Sequence, residues 1–171
     1  MSNATAVSIR EATRQDVPAI HGLIGELADY ERLRAVFTGE AADLASHLFD
    51  EPRCAHALVA WRHNMVIGFA LYFFNYSTFL CKPGLYLEDL YVQPAFRGQG
   101  VGKGLLRELA RRAAARGCGR MEWSVLDWNA PSIAFYRSLG AEAMDEWTTF
   151  RLTGEAITRL AAAGNGGPAN P

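Results

Sequence analysis

The sequence predicts an α/β protein in which helices flank a mixed sheet. Strand-like and helix-like segments follow one another in the order β-α-α-β-β-β-α-β-α-β. Consecutive strands in the middle, with helices between the later strands, are typical of such a sheet. The chain has 171 residues, enough for one domain with a sizeable core. We therefore expect a single domain over residues 1–163 and a disordered Gly-, Pro- and Asn-rich tail over 164–171.

The first part of the chain carries one short strand and two helices. Residues 8–10 are a strand candidate. Apolar residues recur at helical spacing from 17 to 30, which predicts the first helix. A shorter helix is expected over 41–49, with Thr38 as its cap and Pro52 just beyond its end. The residues between these helices have no clear assignment.

The middle of the chain predicts a hairpin and a further strand. Runs rich in β-forming residues cover 55–61 and 65–76, and residues 62–64 form the turn between them. The next strand, 85–92, ends before Gln93–Pro94. The later elements are expected to be a helix, a strand, a helix, a strand and a short helix, at 100–116, 120–126, 131–139, 147–152 and 154–163.

The helix over 100–116 has the clearest periodicity, and Gly117 suits the position that follows a helix end. Its apolar side chains fall on one face, which predicts that this helix packs on the sheet. They are Val101, Leu105, Leu106, Leu109 and Ala113.

Composition excludes several classes of function. The net charge of −1 gives no reason to expect nucleic acid or a membrane surface as a partner. No apolar run approaches the ~20 residues that span a bilayer, and the N-terminus lacks the apolar part of a signal peptide. Cys54, Cys81 and Cys118 are too scattered for a disulfide framework, so we expect buried or incidental thiols in a reducing cytoplasm. The dispersed histidines predict no metal site.

Residues 97–104, Arg-Gly-Gln-Gly-Val-Gly-Lys-Gly, join a strand end to a helix start. Helix N-termini present unpaired amides, and glycines let the backbone approach a phosphate. A P-loop would need Ser or Thr where Gly104 stands, and the glycine spacing does not match the dinucleotide fingerprint. Four glycines at a helix start would cost stability without a ligand. The sequence therefore predicts a pyrophosphate cradle at 97–103.

The segment 97–102 resembles the acyl-CoA pyrophosphate motif of the GCN5-related N-acetyltransferases (GNAT), and 86–92 resembles their central splayed strand. The similarity extends to the spermidine/spermine N1-acetyltransferase family, in matching order over about residues 9–160. Residues 125–129 and 154–156 are most similar to its thialysine Nε-acetyltransferase branch. The resemblance implies the GNAT fold, with a central mixed, mostly antiparallel sheet and a splayed strand pair. The further segments that carry it are 9–13, 26–31, 68–74 and 128–136.

The resemblance implies direct acetyl transfer from acetyl-CoA to a small primary amine of thialysine, diamine or polyamine type, in a homodimer. From the residues alone, Tyr136 is more simply a core tyrosine. The resemblance instead makes it the proton donor to the departing CoA thiolate, a role that a phenol of pKa about 10 can perform. A protein or peptide amine is an alternative substrate. A catalytically silent CoA sensor is a further alternative, against which the joint presence of Tyr136 and Glu88 argues.

Glu88 and Asp89 are adjacent acids in an apolar strand. A carboxylate there is costly without a partner, and a cationic amine is such a partner. Strand alternation predicts that the two point to opposite faces. An amine of pKa about 10.4 must also lose a proton before it attacks. We expect Glu88 to act as the base, through water, and Asp89 to orient the substrate.

The resemblance also assigns the remaining contacts. The backbone of Leu90, Tyr91 and Val92 is expected to run beside the pantetheine arm, with one amide stabilising the oxyanion. Asn129 and Ser132 are equally candidates for a helix cap and for contacts with CoA. The other residues expected to hold acetyl-CoA are Arg97, Gly98, Gln99, Gly100, Val101, Gly102, Lys103 and Tyr136.

The amine pocket is expected to include Tyr30, Glu31 and Trp147 together with Glu88 and Asp89. One departure from the family pattern concerns substrate length. Residues 77–79 read Ser-Thr-Phe, where the polyamine enzymes carry an acid and a tryptophan. Loss of a carboxylate removes a contact for a long polycation and favours a shorter amine.

Overall fold

The computed structural model describes residues 6–163, which form two compact units, one ending at Trp128 and one beginning at Asn129. The first unit contains β1 (Ser8–Glu11), α1 (Val17–Tyr30), α2 (Ala41–Phe49), β2 (His56–Arg62), β3 (Met65–Ser77), β4 (Lys82–Val92), α3 (Val101–Ala115) and β5 (Met121–Trp123). The second unit contains α4 (Ala130–Ser138) and α5 (Glu155–Ala162). Short 3-10 turns lie at Arg14–Asp16, Arg34–Val36 and Pro94–Phe96.

The five strands form one sheet in the order β1-β2-β3-β4-β5. Neighbours from β1 to β4 are antiparallel, whereas β4 and β5 are parallel, which confirms the predicted mixed, mostly antiparallel sheet. Strand β5 pairs with β4 only from Leu85 to Leu87. Beyond that point β4 continues alone on this side, among the described strands, through residues 88–92. This is the splayed pair that the resemblance implied, and it explains why the predicted strand 120–126 is too long.

Helices α1 and α2 have the predicted bounds and pack their apolar side chains on the sheet. Burial of each such side chain contributes about 1.5–3 kcal/mol. The cluster includes Ile20, Leu23 and Leu27 from α1, Leu48 from α2, and Val59, Phe69 and Tyr91 from the strands. Tyr91 therefore belongs to the core that joins α1 to β4.

Helix α3 buries the predicted face: Val101, Leu105, Leu106, Leu109 and Ala113. Its end is also as predicted, since Arg116 is the C-cap and Gly117 follows with φ +69°. The left-handed conformation there favours glycine. The glycine turn is thus held at the start of a well-buried helix.

The approach to α1 is fixed by Asp16, which is only 3% exposed. Its carboxylate accepts hydrogen bonds from Arg10 Nη1 at 2.7 Å and Nη2 at 2.9 Å, and from the Thr13 amide at 2.7 Å. Burial alone would raise the pKa of Asp16, but these hydrogen bonds outweigh it and hold that pKa below its usual value. The ion pair ties β1 to the start of α1.

The predicted strand over 147–152 is wrong. Residues 141–154 contain turns but neither helix nor strand, and the side chain of Phe150 is 91% exposed. The segment is rich in β-forming residues, but a strand also needs a partner, and no described strand pairs with it. The predicted tail, 164–171, lies outside the described residues.

Other predictions need smaller corrections. Helix α2 has Glu40 rather than Thr38 as its N-cap, without a side-chain cap bond. The loop between β3 and β4 is confined to 78–81, because both strands are longer than predicted. Cys54 and Cys81 are free and exposed, as incidental thiols would be, and Cys118 is free and half-buried. Across residues 6–163 no helix has the length and apolarity needed to cross a bilayer.

Candidate active site

The glycine turn has the backbone geometry of an anion site. Gly98 and Gly100 have φ of +72° and +80°, conformations that other residues rarely adopt. The first helical hydrogen bond of α3 runs from the Gly104 amide to the Gly100 carbonyl at 2.9 Å. The amides of residues 101–103 therefore have no partner within the helix. A Cβ on Gly98 or Gly100 would meet nothing within 4 Å, so the turn has open space beside it.

The fourth glycine of the turn has a different role. A Cβ on Gly104 would lie 2.7 Å from Ile9 Cδ1, so a larger residue there would require the end of the Ile9 side chain to move. Gly104 thus lies at the contact between α3 and β1 rather than in the open part of the turn. The turn at 98–100 is the part that packing leaves unexplained.

Gln99 braces the turn through its side chain. Its Oε1 accepts a hydrogen bond from Arg62 Nη1 at 2.6 Å, and its Nε2 donates to the Ala95 carbonyl at 3.1 Å. These two bonds hold the Gln99 side chain against Arg62 and the Ala95 carbonyl, so they fix the turn. Sequence reasoning missed Arg62, because nothing local in the β2–β3 turn connects it to residue 99.

Arg97 folds back on β4. Its Nε donates to the Val92 carbonyl at 2.8 Å, and its Cζ lies 5.0 Å from the Tyr30 ring centroid and 5.4 Å from that of Tyr91. Sequence reasoning also missed the role of Glu26. Its two carboxylate oxygens accept from the Tyr91 hydroxyl at 3.1 Å and from Gln93 Nε2 at 3.0 Å. Glu26 therefore links α1 to the end of β4.

Asp89 is the most perturbed acid of the site. Burial, together with the charges of Glu88 and Glu31, raises its pKa from 3.8 to about 6. Burial also raises the pKa of Glu31. These three acids lie at the end of α1 and in the part of β4 that lacks a β5 partner. The negative charges of these three carboxyls favour the binding of a cation beside them.

Glu88 differs from its prediction in one respect. Leu71 pairs with Asp89 and Tyr72 with Leu87, so Glu88 is the extra residue of a β-bulge. The bulge interrupts the regular alternation of side chains along the strand. The prediction that the two carboxyls point to opposite faces of the sheet depended on that alternation. The effect of Glu88 on the pKa of Asp89 shows that the two charges interact.

The backbone of residues 90–92 has one occupied side and one open side. Leu90, Tyr91 and Val92 pair with Ala70, Phe69 and Gly68 of β3. On the other side the described residues provide no strand partner, because β5 has already ended at Trp123. An extended ligand chain could occupy that side by pairing with β4.

Aromatic side chains surround the end of α1. The rings of Tyr30 and Trp128 lie 5.9 Å apart, and Arg32 lies 5.8 Å from the Trp128 ring. Trp147, also expected in the pocket, belongs to the second unit, where it is 71% exposed. Its assignment to the amine pocket stays a prediction.

In the second unit, Asn129 caps α4, because its Oδ1 accepts a hydrogen bond from the Ser132 amide at 3.3 Å. The helix-cap role foreseen for Asn129 is confirmed, whereas Ser132 supplies the backbone amide that is capped. The contact of both residues with CoA stays a prediction. Tyr136 lies within α4, with its ring 5.4 Å from that of Phe135. Its role as a proton donor also stays a prediction.

The profile of the acetyltransferase (GNAT) family matches residues 25–141. The chain belongs to the GNAT family. It is an N-acetyltransferase, and GNAT acetyltransferases use acetyl-CoA. The open turn, the unpaired amides and the free side of β4 fit that co-substrate: amides 101–103 would hold its pyrophosphate.

Relatives that align with nearly the whole chain indicate which branch of the family it resembles. The chain is 39% identical to the thialysine N-epsilon-acetyltransferase of Bos taurus, over 91% of this chain and 97% of that protein. It is 34% identical to the L-ornithine N5-acetyltransferase NATA1 of Arabidopsis thaliana, over 89% and 86%. Among solved structures, an integron cassette protein from V. cholerae has a TM-score of 0.77 and 28% identity, over 92% and 98%. The predicted resemblance to the thialysine branch is confirmed.

Proposed function

We propose that this protein transfers an acetyl group from acetyl-CoA directly to the primary amine of a small cationic substrate. The observation that carries the proposal is the acidic group of Glu31, Glu88 and Asp89 beside the open side of β4. A neutral or anionic acceptor would gain nothing from three carboxyls. A protonated amine lowers their mutual repulsion and is placed next to the strand that receives the thioester.

The acetyl-CoA side is built from backbone groups. Amides 101–103 at the start of α3 hold the pyrophosphate, where the helix dipole is positive. The pantetheine arm extends along residues 90–92, and one amide there polarises the thioester carbonyl. The same amide stabilises the negative charge that develops on the oxygen during attack.

Proton removal from the ammonium group falls to the carboxyls of β4. The sequence assigned this step to Glu88, but a pKa of about 6 makes Asp89 the better acceptor near neutral pH. We assign Asp89 as the acceptor, and exposed Glu88 as the group that passes the proton through water to solvent.

The transfer itself is a direct displacement. The neutral amine nitrogen forms a bond to the acetyl carbon, and the bond from that carbon to the CoA sulfur breaks. The nitrogen, positively charged after attack, releases its second proton to solvent to give the neutral amide. Tyr136 donates its phenolic proton to the departing thiolate and is reprotonated from solvent. No acetylated form of the enzyme is required.

The substrate is proposed to be a short amino acid or diamine rather than a long polyamine. The relatives described above are named for thialysine and L-ornithine, each an amino acid with a second primary amine at the end of a short side chain. In place of the acid and tryptophan of the polyamine enzymes, Ser77 is buried and Phe79 is 93% exposed. Neither residue supplies a carboxylate for a second, distant ammonium.

The assembly is proposed to be a homodimer in a reducing cytoplasm. Support comes from the family resemblance and from exposed apolar side chains in residues 141–154, including Trp147 and Phe150. Light scattering during gel filtration measures the mass directly, and a monomer at micromolar concentration contradicts this part.

A panel of acceptors tests the proposed activity. The purified protein is incubated with acetyl-CoA and thialysine, lysine, ornithine, putrescine, spermidine, spermine or a lysine-containing peptide, and free thiol is measured. We expect amine-dependent release with thialysine or ornithine ahead of spermine. Preference for the peptide would favour the alternative of protein acetylation. The absence of release with any acceptor would contradict the proposal.

A further inference from the structure

Arg32 is a cation beside the proposed amine pocket that no described residue neutralises. It directly follows Glu31, one of the three acids of that pocket, in the turn that ends α1. Across residues 6–163 no carboxylate lies within ion-pair distance of its guanidinium, and no group accepts a hydrogen bond from it. Arg34 is instead paired with Asp29 at 3.2 Å and donates to the Gly25 carbonyl at 3.1 Å. The loop after α1 thus holds one arginine that the fold uses and one that it leaves available.

The Trp128 ring restrains the exposed Arg32 side chain. The Arg32 Cζ lies 5.8 Å from the centroid of that ring, and the Tyr30 ring lies 5.9 Å from it. Residue 32 has φ +61°, a left-handed conformation that residues other than glycine adopt infrequently. The residues before and after Glu31 therefore both contact one aromatic side chain. Because Glu31 contributes to the raised pKa of Asp89, the guanidinium lies beside the acidic group without being paired to it.

The acidic group alone does not distinguish between two kinds of short amine. A diamine and an amino acid that ends in a primary amine present the same ammonium group to Glu31, Glu88 and Asp89. The amino acid also carries a carboxylate, which those acids repel. It avoids that repulsion only where its carboxylate extends away from the acids to a cation. The Arg32 guanidinium is such a cation, and its planar fork of donors matches a carboxylate in two parallel hydrogen bonds.

We propose that Arg32 forms a carboxylate subsite of the amine pocket, so that the acceptor is an α-amino acid with a primary amine at the end of its side chain. The inference rests on the proposed function for the role of the acidic group. The terminal ammonium binds at Glu31, Glu88 and Asp89 and is the group acetylated. The carboxylate, at the other end of the substrate, accepts hydrogen bonds from Arg32. Arg32 therefore determines specificity and does not contact the reacting atoms.

Two simpler roles for Arg32 predict different kinetics. As a solvated surface arginine, it could be replaced without a change in any constant. As a ligand of a phosphate of acetyl-CoA, its replacement would raise the KM of acetyl-CoA and would affect acceptors with and without a carboxylate equally.

Ornithine and putrescine separate these roles, because putrescine is ornithine without its carboxylate. Kinetics with each acceptor are measured at saturating acetyl-CoA for the wild type and Arg32→Gln. We expect Arg32→Gln to raise the KM of ornithine by about tenfold, as the loss of a charged hydrogen bond implies, and that of putrescine by less than about twofold. The effect should be on KM rather than kcat, since the carboxylate contact is the same before and during the reaction. Equal effects on both acceptors, an unchanged KM for ornithine or a raised KM for acetyl-CoA would overturn the proposal.

Two further variants identify the cause of the change. Arg32→Lys keeps the charge and should recover part of the affinity for ornithine. Arg14→Gln is the matched control, because Arg14 is also an exposed arginine over an aromatic ring, 5.5 Å from the Phe49 centroid. It lies at the opposite end of α1 and should change neither KM. Melting temperatures check that each variant is folded.

Binding without turnover makes the subsite and the proposed function fail separately. With CoA in place of acetyl-CoA no transfer occurs, and calorimetry gives the Kd of ornithine and of putrescine. Wild type should bind ornithine about tenfold more tightly than Arg32→Gln does, with putrescine unaffected. If this difference is found but no amine is acetylated, the proposed function fails and the subsite stands. If both acceptors are acetylated and bound alike by the two proteins, or wild type does not bind ornithine, the present inference fails.

Discussion

Asp89 pairs with Leu71 across the β3–β4 ladder, one residue after the bulge formed by Glu88. The bulge and the early end of β5 together place a carboxyl at the point where the sheet opens. Burial there, with Glu88 and Glu31 nearby, raises the pKa of Asp89 to about 6. A single backbone irregularity thus connects the fold to the proposed acid–base chemistry.

The raised pKa of Asp89 predicts a pH-dependent cost to stability. The Asp89 carboxyl binds its proton more tightly in the native state than in the unfolded state. The stabilisation of the native state by this proton is fully present below the ordinary pKa of 3.8 and is lost as pH rises through about 6. A pKa difference of one unit corresponds to about 1.4 kcal/mol. The free energy of unfolding of Asp89→Asn at pH 8 should therefore be up to about 3 kcal/mol higher than that of the wild type.

Urea unfolding at pH 4 and pH 8 checks this prediction. Asp145→Asn, at an exposed position, is the control and should show no such difference. Equal wild-type and Asp89→Asn stabilities at pH 8 would show that Asp89 is not a charge that the fold disfavours.

The pH dependence of the activity should show the titration of the same carboxyl, Asp89. If Asp89 accepts the amine proton, wild-type kcat/KM for the amine falls tenfold per pH unit below about pH 6. Asp89→Asn should lower kcat/KM by about 10²-fold or more and remove this inflection. Glu88→Gln should retain the inflection and lose about tenfold or less. The reverse ranking of the two variants would return the base role to Glu88, as the sequence first indicated.

Tyr136→Phe should slow the chemical step while leaving acetyl-CoA binding intact. Removal of a general acid costs about 10²-fold or more in kcat, whereas one hydroxyl contact with the thioester sulfur adds little to ground-state binding, so the Kd of acetyl-CoA stays within about twofold. Steady-state kinetics and calorimetry measure the two quantities. Tyr76→Phe serves as the control, and an unchanged kcat in Tyr136→Phe would exclude the proposed donor.

The Arg10–Asp16 pair makes a prediction about the scaffold. Asp16→Asn should lower the free energy of unfolding by about 2 kcal/mol, because it weakens the charged hydrogen bonds that the buried carboxylate accepts from Arg10 and Thr13. The pKa of Asp16 is held low, so wild-type stability from this pair is present above the ordinary pKa and is lost as pH falls through the native value. The control is Asp50→Asn in the exposed pair with Arg14, expected to cost less than about 1 kcal/mol. Denaturant titration at pH 7 compares them, and equal costs would contradict the difference in burial.

The sequence was sufficient for elements with strong local periodicity. The bounds of α1 and α2 and the buried face of α3 follow from apolar spacing, because those helices pack one face on the sheet. The segment over 147–152 shows the limit of this approach. Its β-forming residues predict a strand, but strand formation depends on a partner that local sequence does not specify.

The candidate site also contains some features that the local sequence predicts and others that depend on residues far apart in the chain. The glycine turn at Gly98–Gly100 could be predicted, because a helix start with such residues has a local signature. The bulge at Glu88 could not, because it depends on the register with Leu71 and Tyr72 far along the chain. The contacts of Glu26 with Tyr91 and of Arg62 with Gln99 join residues 65 and 37 positions apart. No periodic pattern encodes such pairs.

Direct transfer requires that the acetyl group moves from CoA to a small amine without an enzyme-bound intermediate. A single-turnover experiment distinguishes this route from a covalent one: excess enzyme is mixed with acetyl-labelled acetyl-CoA, with or without thialysine, then quenched and separated into protein and small molecules. Direct transfer predicts that label appears in N-acetylated thialysine only when the amine is present, with none retained on the protein. Label on the protein without amine, or no acetylated amine in either case, would contradict direct transfer.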